Sequence, residues 1–258
     1  AGRYGAEAAE LLRRMHSARL EPGHAAVGSA VAACTAGGRW EEAFGLLMEV
    51  DDWQHGAGTV AYNAVISACG HTRSAQAAMQ LLARMGERGI PRTFVTYGAA
   101  IGACSRCHAW EECLQLLCTM RGGGLGLGIK ADHQAHAAVT TACARAMQWR
   151  LALDLVQHTS AADWKLAGSI SSAAYTAAIS ACDHVGLWEQ ALGVLQRMHT
   201  CRAVVGTTTL NAALSASGRS SAWEAAVKLW MEAANSHHMD WLTAGLIVRA
   251  CERAGQWA

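Results

Sequence analysis

The stretch Cys104-Ser105-Arg106-Cys107-His108 carries the most specific chemical signature in the chain. Its C-x-x-C-H spacing sets two thiols about one helical turn apart beside an imidazole, the arrangement used for covalent haem attachment. A zinc site would need a second ligand pair, and Cys113 and Cys118, five residues apart, fall on nearly opposite faces of a helix. His133-x-x-His136 and His237-His238 each bring two imidazoles together without a convergent third ligand in sequence. The run Gly122-Gly123-Gly124-Leu125-Gly126-Leu127-Gly128 has neither G-x-G-x-x-G in register nor a G-K-[ST] ending, so a surface loop is expected rather than a phosphate cradle. Asp51-Asp52 and Asp154 form no recognisable carboxylate pair and read as solvated charges. The expectation is a chain with no catalytic centre, metal or cofactor and no small-molecule substrate.

Cys104 has a simpler explanation in the elements around it. Cys34, Cys69, Cys104, Cys143, Cys182 and Cys251 follow one another at 35, 35, 39, 39 and 69 residues, and Ser217 divides the last interval into 35 and 34. Cysteine at that period is a small core residue of a repeat. Aligned on it, the chain divides into a part-repeat 1–23, repeats 24–58, 59–93, 94–132, 133–171, 172–206 and 207–240, and a part-repeat 241–258. Trp40, Trp110, Trp149, Trp188, Trp223 and Trp257 all fall at the seventeenth place of their blocks, which fixes the same register independently. Their repetition fits packing between repeats better than a row of stacking platforms.

Within a block, places 4, 8 and 11 carry Tyr62-Ile66-Cys69, Tyr97-Ile101-Cys104 and Tyr175-Ile179-Cys182, the apolar stripe of one helix. Places 20, 24 and 27 repeat the pattern with Ala78-Leu82-Met85, Cys113-Leu117-Met120 and Ala191-Leu195-Met198, giving a second helix. Gly37-Gly38, Gly186 and Gly218-Arg219 mark turns between the two. Glu41-Glu42, Glu111-Glu112 and Glu189 then suit the positive end of a helix that begins near the Trp. The expected fold is all-α, a right-handed superhelix of paired helices in which each unit needs its neighbours to bury its apolar face. At 52% hydrophobic residues the core is ample, and the formal charge of +1 excludes a general electrostatic pull toward polyanions. The longest uncharged stretch, Trp53 to Thr72, contains Gln54, His55, Asn63 and His71, so no membrane span is expected. Because the sequence opens at Ala1 without Met and part-repeats stand at both ends, it reads as a piece of a longer array.

The block 59–93, TVAYNAVISACGHTRSAQAAMQLLARMGERGIPRT, resembles the pentatricopeptide repeat family at its Tyr-Asn start, Ala at place 20, Leu-Leu at 23 and 24, Met at 27 and Gly-Ile at 31 and 32. The resemblance extends over essentially the whole chain and is strongest in 59–93, 94–132 and 172–206. The tetratricopeptide repeat, with a 34-residue period and protein ligands, is the nearest competitor; the 35-residue spacing and the Met-x3-Gly-Ile ending favour the former. What the resemblance implies is binding of single-stranded RNA, one base per repeat, in a chloroplast or mitochondrion, alongside other RNA-processing proteins. It implies base reading by place 5 and the last place, which here gives Asn63 with Thr93, Gly98 with Asp132, Thr176 with Gly206 and Asn211 with Asp240. Packing on the base face falls to place 2, with Val60, Val95 and Thr208. Asn211 with Asp240 matches the family's uracil-preferring pair, an amide bonding the base edge beside an orienting carboxylate. Gly28/Gly58, Gly98 and Ala137/Ser171 offer a base little or no side-chain hydrogen bonding.

The residues themselves outline a second stripe. At about 100° per residue, places 2, 5, 9 and 13 face largely away from places 4, 8 and 11. Place 9 is small or hydroxylic in Ala32, Ser67, Gly102, Thr141, Ser180 and Ser215, with Arg249 the exception. Place 13 holds Ala36, His71, Arg106, Arg145, His184, Arg219 and Arg253, four Arg where composition predicts about half of one. Two readings stay open. The cations could contact phosphates, or they could sit at first-helix C-termini for the dipole alone, a gain of about 0.3–1 kcal/mol each. A protein–protein scaffold using the same surface is the alternative function, supported by the low net charge.

Overall fold

The computed structural model describes residues 2–20, 22–36, 39–53, 56–71, 74–121, 133–158, 172–201, 203–219, 222–235 and 240–255. Asp132, Ser171, Gly37-Gly38, the run Gly122 to Gly128, His237-His238 and Trp257 lie outside them. The described residues form α-helices joined by turns, with no strand among them. After α1 (Gly2–Ser17), the helices alternate between first and second members of each repeat. The first helices are α2 (His24–Ala36), α4 (Thr59–Cys69), α6 (Phe94–Arg106), α8 (His133–Arg145), α10 (Ser172–Val185), α12 (Thr207–Arg219) and α14 (Trp241–Ala254). The second helices are α3 (Trp40–Asp51), α5 (Ala75–Glu87), α7 (Trp110–Arg121), α9 (Trp149–His158), α11 (Trp188–Thr200) and α13 (Trp223–Asn235). First helices thus open at place 1 of their blocks and second helices at place 17.

Local chemistry sets these boundaries. The last residue of a block is the N-cap of the next first helix: Thr93 Oγ1 accepts the Thr96 amide, Asp240 accepts the Thr243 amide, and in each case the side chain of the capped residue returns a bond to the N-cap backbone. The turn between a repeat's two helices passes through the left-handed region at place 15, with φ of 61° at His108, 61° at Met147 and 77° at Gly186. The chain reverses there whatever the residue, and only glycine does so without a steric penalty.

The chain forms two compact units, 1–135 and 136–258. In the first, α2 packs on α4 and α4 on α6, each also touching the second helix of its own repeat. Val27, Val31 and Cys34, then Tyr62, Ile66 and Cys69, then Tyr97, Ile101 and Cys104 are all buried at places 4, 8 and 11. In the second unit, Tyr175, Ile179 and Cys182 meet Ala191, Leu195 and Met198 of their own repeat and Leu210, Ala213 and Leu214 of the next. Trp149 and Trp188 cover this cluster from its margin, the packing role expected of place 17. All ten cysteines are free thiols. Burial pushes Cys69, Cys143 and Cys182 up to about 11, so they stay protonated as core groups.

Asp51, expected as a solvated charge, is instead 2% exposed. Its carboxylate lies 2.8 Å from Arg84 Nε and 3.3 Å from Arg88 Nε, while Asp52 pairs with Arg88 at 3.0 Å on the surface. A buried carboxylate requires such partners. This pairing ties α3 to the second helix of the following repeat. The Tyr62 hydroxyl is pushed well above the phenol range by burial and by Asp51 nearby.

Candidate nucleic-acid interface

The stripe opposite the core is the surface that remains for a ligand. At place 2 every described side chain is exposed: Ala25, Val60, Val95, Gln134, Ala173, Thr208 and Leu242. Val60 at 69% and Val95 at 49% exposure have no core reason to be apolar. At place 13 every member is exposed as well, from Ala36 and His71 through Arg106, Arg145, His184 and Arg219 to Arg253. The split holds at places 2 and 13, whereas place 5, expected on the same exposed stripe, is buried at Gly28 and Ala137 and half-buried at Asn63, Thr176 and Asn211, because it lies against the following repeat.

Three of the four place-13 arginines are partly committed to the preceding repeat. Arg106 donates to the Ser67 carbonyl at 3.1 Å, and Arg253 donates to that of Gly218 at 3.4 Å. Arg219 Nε lies 3.4 Å from Asp183 Oδ1. Arg106 and Arg253 therefore serve the C-terminal end of the previous first helix, where carbonyls lack intrahelical partners and the dipole is negative, whereas Arg219 pairs with a carboxylate of that helix's last turn. Neither simple reading from sequence anticipated this neighbour capping. A guanidinium carries five N–H donors, so capping leaves several directed outward.

In the second unit these cations converge. Ser215, Gly218, Arg219, Arg249 and Arg253 line a cleft of about 360 Å³ between α12 and α14. Arg249 occupies the place-9 position that is small or hydroxylic elsewhere. It was visible in sequence as an exception to the stripe, and only the packing of α12 on α14 shows that it faces the same cleft as two place-13 cations.

The base-reading places divide by chemistry. Asn211 and Asp240 are brought together through Thr243, whose Oγ1 lies 2.8 Å from Asn211 Oδ1 and 2.6 Å from Asp240 Oδ1. The Thr243 hydroxyl and amide hold the Asp240 carboxyl below its ordinary range, keeping it anionic. Thr176 Oγ1 lies 2.6 Å from Thr209 Oγ1 of the next repeat. Asn63 and Thr93 are not joined: Thr96 bonds Thr93, and Asn63 Oδ1 is buried without a partner. Gly98 is exposed and offers no side-chain group; Gly28 and Ala137 are buried. Thr96, Thr209 and Thr243 at place 3 were not singled out from sequence, although Ala26, Ala61, Ala135 and Ala174 hold that place in the other repeats.

The haem-like cluster takes no part in this surface. Cys104 is fully buried at place 11, its thiol lowered by a hydrogen bond with Cys113, while His108 occupies the left-handed turn. Among the described residues no three His, Cys, Asp or Glu side chains are grouped to hold a metal ion.

Comparison with known proteins bears on the same repeats. The model of the pentatricopeptide repeat domain matches residues 48–106, and that of the PPR repeat matches residues 95–125 and 173–202. Residues 48–125 and 173–202 thus match pentatricopeptide repeats. Among solved structures it is similar to the pentatricopeptide repeat protein PPR10 from maize, with a TM-score of 0.51 and 16% identity over 96% of this chain and 44% of that one. PPR10 in complex with an 18-nt psaJ RNA element superposes with a TM-score of 0.45 and 19% identity over 98% of this chain and 42% of that one. The chain thus spans less than half the length of these structures. No curated protein matches it. In pentatricopeptide terms, α2, α4, α6, α8, α10, α12 and α14 are the first helices that carry places 2 and 5.

Proposed function

We propose that this pentatricopeptide repeat chain binds single-stranded RNA along the exposed stripe of its first helices, serving RNA processing, stabilisation or translation in a chloroplast or mitochondrion. The observation that carries the reading is the cleft of Arg219, Arg249 and Arg253 between α12 and α14. Asp183 beside Arg219 offsets only one of the three guanidiniums, so the concave site keeps a net positive charge, and a phosphate is matched by their planar donor forks. Beside the cleft, Thr208 and Leu242 at place 2 offer exposed surface to a base face, and Asn211 and Asp240 present hydrogen-bonding groups to a base edge. In the first unit Val60 and Val95 give the apolar ledge, Asn63 the polar edge, and His71 and Arg106 the cations. Such a surface acts by occupying RNA, which excludes nucleases or competing structure and can place a transcript for other RNA-processing proteins.

The test is fluorescence anisotropy with labelled single-stranded RNA and a matched duplex at several salt concentrations. Arg249→Ala and Arg145→Ala are the informative variants, because Arg106 and Arg253 also cap neighbouring helices and Arg219 pairs with Asp183. Wild type should prefer the single strand and weaken steeply with salt. Each cation removed should reduce the slope of log affinity against log salt by about 0.7–1. Binding that ignores salt and both substitutions would overturn the reading in favour of a protein ligand.

A further inference from the structure

Place 5 of each repeat and place 3 of the next vary together at all six junctions. Gly28 is followed by Ala61, Gly98 by Ala135 and Ala137 by Ala174, whereas Asn63 is followed by Thr96, Thr176 by Thr209 and Asn211 by Thr243. A side chain with hydrogen-bonding atoms is always met by threonine, and one without is always met by alanine. The three threonines are essentially inaccessible, at 0%, 1% and 0% exposure for Thr96, Thr209 and Thr243. Helix propensity favours alanine at such sites, so each hydroxyl needs a partner to justify its burial.

Where the contact is made, it constrains the place-5 group. Thr176 donates its single proton to the Ser172 carbonyl at 2.7 Å, so Thr209 is the donor in the 2.6 Å contact between the two hydroxyls. One lone pair of Thr176 is thereby used, and its orientation is set by the following repeat. At the last junction, Thr243 sits between Asn211 and the Asp240 carboxylate, which also accepts the Thr243 amide at 2.8 Å. If Thr243 donates to Asn211, the amide oxygen is pinned inward; if it donates to Asp240, the Asn211 amide turns to donate an Nδ2–H to the same hydroxyl, and in either case the other edge is left for a ligand. At Asn63 the same groups are present but Thr96 is held by Thr93, with its hydroxyl 3.2 Å from the Thr93 hydroxyl.

We propose that the place-3 threonine of the following repeat is a positioning residue for base reading, holding the place-5 side chain of the repeat before it in one orientation. This rests on the RNA-binding reading above. It sorts the repeats: those beginning at residues 172 and 207, where the contact is made, discriminate between bases, those beginning at 24, 94 and 133 accept any base, and that beginning at 59, where Thr96 bonds Thr93 instead, lacks this positioning. A pre-oriented donor or acceptor loses no rotational freedom on binding and can reject a base that mismatches it.

The experiment begins with wild type selecting from a randomised single-stranded RNA pool, followed by anisotropy on the selected RNA and its single-base variants. Asn211→Ala identifies the nucleotide read by that repeat. Thr243→Val, similar in shape but lacking the hydroxyl, should reduce the preference at that nucleotide from about tenfold to within about twofold. Preferences elsewhere and the salt slope should be unchanged, and Thr243→Ser should restore discrimination. A merely structural threonine would move all of these together. Retained preference in Thr243→Val, or RNA binding by wild type without any base preference, overturns the positioning role while leaving RNA binding intact. Absence of RNA binding overturns the function instead. Positioning is then decided in the RNA-free protein by the Asn211 side-chain amide signals in 1H–15N spectra, which must shift in Thr243→Val and recover in Thr243→Ser; unchanged signals refute it.

Discussion

Gly70→Ala should destabilise the first unit although it replaces glycine in a helical conformation. Gly70 is the C-cap of α4 with φ −68° and ψ −23°, which any residue adopts. Its need is space: an added Cβ would lie 2.7 Å from Ala103 Cα and 2.6 Å from Arg106 Nε. The arginine can swing aside, losing its 3.1 Å bond to the Ser67 carbonyl, worth about 0.5–1 kcal/mol at an exposed position. Ala103 Cα belongs to the backbone of α6 and cannot move alone, so α4 and α6 must separate by roughly 1 Å, an overpacking cost of about 1–3 kcal/mol. Against this stands a propensity gain of at most about 1 kcal/mol for Gly→Ala. The losses win, by about 1–2 kcal/mol. Gly45→Ala, inside α3 of the same unit with nothing within 4 Å of the new Cβ, keeps only the gain and should stabilise by about 0.5–1 kcal/mol. Urea denaturation followed by far-ultraviolet circular dichroism gives both values. A Gly70→Ala protein as stable as Gly45→Ala would refute the close approach of the first helices and the seat of Arg106 upon it.

Arg84→Met with Arg88→Met should cost about 3–5 kcal/mol, because the 2%-exposed Asp51 carboxylate loses both partners, whereas Asp51→Asn should cost less, about 1–2 kcal/mol, since the partly exposed arginines rehydrate; urea midpoints of the three proteins test the asymmetry. Met147→Gly should stabilise by about 0.5 kcal/mol, relief of the left-handed φ of 61° narrowly exceeding glycine's larger unfolded-state entropy, as read from the same curves. The Asp240 carboxyl should titrate below its ordinary value in 13C NMR and move back toward it in Thr243→Val. A depressed folded value means that the cap stabilises above the unfolded carboxylate range near pH 4 and that this contribution is lost as the pH falls through the folded value.

The repeat architecture was legible because two independent landmarks share one period. Cysteine at place 11 and tryptophan at place 17 locate the core and the start of the second helix, and α3, α7, α9, α11 and α13 all begin at the tryptophan. The exposure of places 2 and 13 was legible for the same reason, since helical geometry fixes what lies opposite a buried tyrosine, isoleucine and cysteine, whereas place 5 is buried at Gly28 and Ala137 by the following repeat. What sequence within one repeat could not supply was contact between repeats. Asp51 looked like a surface charge because its partners, Arg84 and Arg88, lie 33 and 37 residues later. The place-13 arginines looked like either free cations or caps of their own helices, and their acceptors instead lie on the helix one repeat earlier. The threonine pattern at place 3 was present in sequence, but it acquires meaning only against place 5 of the preceding block.

These inter-repeat contacts place stability and recognition in the same side chains. Asp240 caps α14 through the Thr243 amide and, through the Thr243 hydroxyl, shares a network with Asn211 of the repeat before. Arg219 and Arg253 brace the ends of neighbouring first helices while facing the cleft with Arg249. A mutation at any of them therefore changes both folding and binding, and a loss of RNA affinity alone does not assign a contact. Arg249→Ala avoids this ambiguity, because place 9 of α14 is exposed and every other repeat is built with a small or hydroxylic residue there. If the cleft holds a phosphate, that one substitution should weaken RNA binding and flatten its salt dependence at unchanged urea stability. A change in stability without a change in salt slope would make the cleft a packing feature.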